Sequence, residues 1–125
     1  MPAIYFDFYG VGVSVESAEE EFRKSVEHDF SYFLRPQVSP AIRLTFVHSR
    51  PDYDALPELP CSLATPRNIC FSNGDCTYID YFGQALNIYD RGTNSSRIVT
   101  GDLELAHEIA YLTILSRVSE ALERR

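Results

Sequence analysis

The stretch DLELAHEIAYLTILSRVSEALERR, residues 102–125, decides how the rest of the chain is read. Asp102 opens a helical pattern that runs to Arg125, and between Glu108 and Arg117 it carries eight consecutive uncharged residues, Ile109 through Ser116. A helix that apolar has to be covered on most of its circumference. Leu105, Ile109, Leu112, Leu115, Val118 and Leu122 recur at three- and four-residue steps and predict the face that packs on the chain's own strands. Ala106, Ala110, Tyr111 and Ile114 then form a second surface, read as the contact for a protein partner, either a downstream domain or a second copy. On that reading the chain is the N-terminal part of a longer protein, and replacing Ile114 with Asp leaves the isolated domain folded.

Working backwards, the chain reads as a meander. Asn68–Ser72 and Asp75–Phe82 flank Asn73-Gly74, a dipeptide suited to a two-residue hairpin turn. Gly83-Gln84 turns the chain into Ala85–Tyr89, and Asp90–Asn94 turns it again into Arg97–Thr100. Further back, Ile42–His48 alternates apolar and polar residues as a half-buried strand does. Between that strand and the meander lies a connector with Pro51, Pro57, Pro60 and Pro66, which excludes helix and interior strand. Tyr53, Leu56, Leu59 and Leu63 let it pack as a long ordered loop, the best place in the chain for a binding surface.

At the start, Ile4–Tyr9 and Val11–Val15 are β-rich runs around Gly10, either one kinked strand or a tight pair. Ser17-Ala18-Glu19-Glu20 has capping-box spacing, and Phe22, Val26 and Phe30 give the helix that follows its apolar stripe. The fold expected is α+β: an antiparallel sheet of about five to six strands, with helices over about 17–33 and 102–124 packed on one face. All 125 residues form a single domain.

Charge narrows the function classes. Residues 1–34 carry seven acids against two bases, and the remaining residues eleven against nine, for a net charge of −7. Such a field repels phosphate backbones, so nucleic acid is not an expected partner. No apolar run approaches the roughly 20 residues that cross a bilayer, and no signal segment is present, so the expected location is the cytoplasm. In that setting Asn94-Ser95-Ser96 is a polar loop rather than a glycosylation site.

Several chemistries fail on spacing. His107-Glu108-Ile109-Ala110-Tyr111 has Tyr where a zinc protease motif needs its second His, so no metal site is expected. Gly10-Val11-Gly12 lacks the third glycine and the following helix of a dinucleotide site. With Asn73-Gly74 as the turn, Phe71 pairs with Cys76 and Cys70 with Thr77, which puts Cys70 and Cys76 on opposite faces. These two and Cys61 are read as reduced, with Cys61 in the connector the residual nucleophile. No catalytic residue and no cofactor are assigned. The ligand-binding candidates are Tyr53 and Cys61 in the connector and Tyr78 and Tyr89 on the strands.

Three pieces, Tyr9-Gly10-Val11-Gly12-Val13-Ser14-Val15-Glu16, the strand runs Leu86–Tyr89 and Arg97-Ile98-Val99, and the helix from Leu103, resemble the N-terminal region of HPr-kinase/phosphorylase-like bacterial proteins. The resemblance implies a non-catalytic accessory domain that positions, regulates or oligomerises a following P-loop kinase-like domain. The alternative is a free-standing domain holding a small ligand or peptide with the 51–66 connector and the aromatic strands.

Overall fold

Tyr9 and Gly10 both take positive φ, +56° and +94°, so the first two β-rich runs fold into a tight hairpin rather than one kinked strand. The computed structural model describes all 125 residues and pairs β1 (Ala3–Phe8) antiparallel with β2 (Val11–Ser17) through that turn. After β2 come helix α1 (Glu20–Asp29), a 3-10 turn at Ser31–Phe33, the two-residue β3 (Leu34–Arg35) and β4 (Ile42–His48). A 3-10 turn at Tyr53–Ala55 leads to β5 (Cys61–Ala64), β6 (Ile69–Asn73), β7 (Cys76–Asp80), β8 (Ala85–Asp90), β9 (Ser95–Thr100) and helix α2 (Leu103–Glu123).

These nine strands form one open sheet in the order β3-β1-β2-β4-β9-β8-β7-β6-β5. The expectation of five to six antiparallel strands is therefore corrected on both counts. β2 and β4 run parallel, as do β4 and β9. The first parallel pair follows from α1, because a helix between two neighbouring strands carries the chain back to the end where it started. The second arises because β9 returns from the meander into the slot beside β4. Beyond the runs read from the sequence, with the first two counted as a pair, the added strands are β3 and β5, and β5 lies inside the connector read as a long loop. An edge strand has only one partner, so the prolines flanking Cys61–Ala64 leave no buried N–H vacancy.

Helix starts differ in quality. Asp102 caps α2 as its sequence position predicts, with Oδ1 accepting from the amides of Glu104 (3.0 Å) and Leu105 (3.1 Å). The capping box at Ser17 does not form. Ser17 is still in β2, its Oγ accepts from the Glu19 amide, and α1 begins three residues later than expected. Its end is also earlier, at Asp29, with Ser31–Phe33 wound into the 3-10 turn.

Both helices cover the same face of β2, β4 and β9. The core there is built from Phe6, Val13, Val15, Phe22, Val26, Leu44, Phe46, Ile98 and Ile114, none more than 1% exposed. Each such side chain contributes roughly 1.5–3 kcal/mol of transfer free energy. The Phe22 and Phe46 rings meet at 4.6 Å, locking α1 onto β4. Gly12 admits the 36–41 segment, since a Cβ there would lie 2.4 Å from the Ser39 carbonyl oxygen.

The face of α2 is rotated from the expectation: Ile109 and Val118 of the expected stripe are buried and Leu105 and Leu122 pack against the core, but Leu112 and Leu115 do not. Ala106, Ala110 and Ile114 are fully buried against the sheet, whereas Leu112 and Leu115 are 47% and 41% exposed. Small residues let a helix backbone come close to a sheet, and Ala106 and Ala110 are used for that approach. Beyond β8 neither helix buries the sheet, though Glu108 of α2 pairs with Arg67 before β6, and β5, β6 and β7 contain no buried residue.

Candidate functional site

The meander register decides what the uncovered strands present. Gly74 alone takes positive φ at its hairpin, and Asn73 pairs with Cys76, so the turn is Gly74-Asp75 rather than Asn73-Gly74. A glycine with positive φ at the first central position is the requirement of a type II′ turn. The one-residue slip moves each cross-strand partner by two, which preserves the faces. Phe71 thus pairs with Tyr78 instead of Cys76, and Cys70 and Cys76 still point to opposite sides. Phe71, Tyr78 and Asp80 share the face turned away from the helices, the back face, with Leu86 and Ile88 of β8.

The connector crosses this back face on its way from the end of β4 to β5. The 3-10 turn that starts it is capped by Asp52, whose Oδ1 accepts from the Asp54 amide at 3.1 Å. The turn presents the Tyr53 hydroxyl to Asp80 Oδ1 at 2.8 Å, with the Ala85 carbonyl a second acceptor at 3.2 Å. Asp80 Oδ1 also accepts from the Gly83 amide at 3.0 Å, so one carboxylate oxygen fastens both the connector and the β7–β8 turn. Burial first, then the Asp80 hydrogen bond and charge, hold the Tyr53 hydroxyl protonated well above the ordinary phenol range.

Between connector and sheet is a cavity of about 310 Å³. Tyr53, Leu56, Pro57, Leu59, Phe71 and Tyr78 form its walls, and Glu58 and Asp80 supply its charged atoms. Both hydrogen bonds to Asp80 land on Oδ1, which leaves Oδ2 as an unused acceptor beside the aromatic walls. The dimensions and the mostly apolar lining are those of a small-molecule site. A larger cavity, about 520 Å³, lies between α1 and α2 but is lined by Glu20, Glu21, Lys24, Ser25, His28, Asp29 and His107. With no apolar wall, that groove is a solvated seam between two helices, bridged by the His107–Asp29 contact.

Of the four ligand-binding candidates, Tyr53 and Tyr78 meet in the apolar cavity. Cys61 and Tyr89 do not. Cys61 is exposed on the edge strand, its Sγ toward the Leu63 carbonyl oxygen at 3.5 Å. Tyr89 is on the helix side, where the Arg117 guanidinium stacks 3.5 Å over its ring and its hydroxyl donates to Asn94 Oδ1. All three cysteines are free, and burial pushes the Cys70 thiol up, with the nearby Cys61 adding to the shift. No three His, Cys, Asp or Glu side chains come together as metal ligands. The candidate partner surface on α2 is divided: Ala106, Ala110 and Ile114 belong to the domain's own core, and Tyr111, 40% exposed, stacks on Phe30 at 5.4 Å.

Phe71 and Asp80 are absent from the sequence-derived candidates, whereas Leu56–Leu59 lies inside the connector expected to bind. The signal for the first two was strand parity, since Phe71, Tyr78 and Asp80 alternate onto one face in either hairpin register. No helix of the chain is long and apolar enough to cross a membrane. No protein-family model, curated protein or solved structure matches the chain.

Proposed function

We propose that this chain is a ligand-binding domain whose site is the cavity between the proline-rich connector and the back face of the sheet. The observation that carries the reading is the Tyr53–Asp80 bond, which pins the connector over Phe71 and Tyr78 and keeps an apolar space open beneath it. Six apolar or aromatic side chains with one spare carboxylate oxygen fit an aromatic group bearing a hydrogen-bond donor. Indole is such a probe. An amide-resolved NMR titration with indole is expected to shift Leu56, Leu59, Phe71 and Tyr78, and Tyr78→Ala weakens binding about tenfold or more. Shifts scattered over the surface, or binding indifferent to Tyr78→Ala, contradict the reading.

A second reading is favoured by a different observation, the uncovered outer strip of α2 formed by Tyr111, Leu112 and Leu115. It makes the domain a cytoplasmic, non-catalytic accessory module with a protein partner, positioning or oligomerising a following kinase-like domain as the HPr-kinase/phosphorylase resemblance implies. Its surface is this strip, not the buried Ala106, Ala110 and Ile114.

A further inference from the structure

On the other side of the connector from the aromatic cavity, the back face holds a second recess, of about 430 Å³. Its floor is aliphatic, made by Val47 of β4, Leu86 and Ile88 of β8 and Val99 of β9. Two arginines line it: Arg50, just after β4, and Arg97, which stands in β9 between Thr45 and Ile88. The chain's ion pairs engage Arg67, Arg91 and Arg117 and leave both of these arginines without a carboxylate. The one acid in the lining, Asp52, accepts from the Asp54 amide on Oδ1 and keeps its charge, so the lining carries two cationic side chains against one carboxylate. In a chain of net charge −7 such a recess is a local reversal of sign, and it attracts an anion that the rest of the surface repels.

The chemistry of the occupant follows from floor and rim together. A guanidinium presents a planar fork of donors that matches a carboxylate. Four aliphatic side chains beneath it gain only if the anion carries an apolar body to cover them. Inorganic phosphate and sugar phosphates would leave that floor wet. We infer that the recess binds a small monocarboxylic acid with an aliphatic chain, its carboxylate on Arg97 and Arg50 and its chain on Val47, Leu86, Ile88 and Val99. The inference rests on the reading of the connector face as a ligand site, since Leu56, Pro57 and Tyr78 line both spaces. Its polar residues belong to this recess alone.

Octanoate and its neutral counterpart octanol, titrated separately into the full chain and followed by amide-resolved NMR, test it. Octanoate is expected to shift Val47, Ile88, Arg97 and Val99 and to bind about tenfold more tightly than octanol, the worth of one charged hydrogen bond. Arg97→Gln and Arg50→Gln, both at exposed positions, bring octanoate down towards octanol and leave octanol binding unchanged. Equal binding of the two probes, or octanoate binding untouched by either substitution, overturns the inference. Octanoate shifts confined to Leu59 and Phe71 overturn it too but leave the aromatic cavity standing. If octanoate shifts the recess while indole shifts nothing under the connector, the carboxylate site holds and the aromatic cavity does not.

Discussion

The two ends of this sheet are built to different standards. Under the helices, β1, β2, β4 and β9 hold Phe6, Val13, Val15, Leu44, Phe46 and Ile98 at 1% exposure or less. From His48 to Gln84, a stretch that includes β5, β6 and β7, Pro51 is the one buried residue. Yet the open end is also a continuous ladder, an antiparallel meander from β9 to β5 with one irregularity between Cys61 and Leu63. Backbone pairing alone therefore keeps strands in register, while burial of side chains decides which part is stable. The sealed end supplies the folding free energy, and the open end, relieved of that task, carries the connector and the two recesses.

The largest test of this division is on α2. Ile114→Asp places an uncompensated charge at a fully buried position, a cost of about 4 kcal/mol or more and a large part of a small domain's stability. Leu112→Asp, at a position 47% exposed, is expected to change stability by no more than about 0.5 kcal/mol. Urea denaturation followed by circular dichroism separates the two. A folded Ile114→Asp chain with wild-type stability would contradict the helix orientation and with it the sealed end.

How far the amino-acid pattern determined this arrangement differs from element to element. Asp102 announces α2 because a cap is a local device, and the Gly-containing turns announce the meander for the same reason. The face of α2 was not legible. Ile109–Ser116 is apolar nearly all round, and ranking stripes by bulk chose the leucines, whereas close packing on the sheet selected Ala106 and Ala110. The mixed sheet was hidden as well, since nothing near β4 says that its neighbours are β2 and β9, contacts made across long separations in the chain. At the site, Tyr53 and Tyr78 were readable as aromatics in the right segments. Strand parity gave the face of Asp80 but not its role, which depends on Tyr53 arriving from 27 residues away.

A moderate effect is expected at that junction. Tyr53→Phe keeps the ring in the cavity and deletes the bonds to Asp80 and Ala85, a loss of about 1 kcal/mol. If the open end is energetically separate, hydrogen exchange speeds up for Ala55, Leu56 and Gly83, and the amides of β2 and β4 keep their protection. Uniform acceleration across the sheet would show one cooperative unit instead. The same contact has a pH signature. The phenol's pKa is raised on folding, so its contribution is complete below the unfolded value of 10.0 and erodes as pH climbs beyond it. Connector amides should therefore lose protection in alkali before the core does.

The smallest effect belongs to the sealed end and lies in a different pH window. His48 closes β4 with Nδ1 2.9 Å from Glu19 Oε1 and Nε2 3.0 Å from the Gly101 carbonyl oxygen, tying the start of α1 to the approach of α2. Both partners only accept, so both ring nitrogens donate when the ring is protonated, and the neutral ring loses one of the two bonds. The Glu19 hydrogen bond is the main cause of a pKa raised above 6.5, and the Gly101 carbonyl adds to it. A raised histidine pKa stabilises the fold fully below 6.5 and loses that contribution as pH rises through the folded value. Since the pair is solvent-exposed, the loss appears as fraying at Glu20 and Leu103 rather than as unfolding. An NMR titration of the ring should give a midpoint above 6.5 that falls in Glu19→Gln. A midpoint that Glu19→Gln leaves in place would remove this tie, and apolar packing, with the Asn87–Thr113 hydrogen bond and the Arg117–Tyr89 stack, would then hold the helices to the sheet.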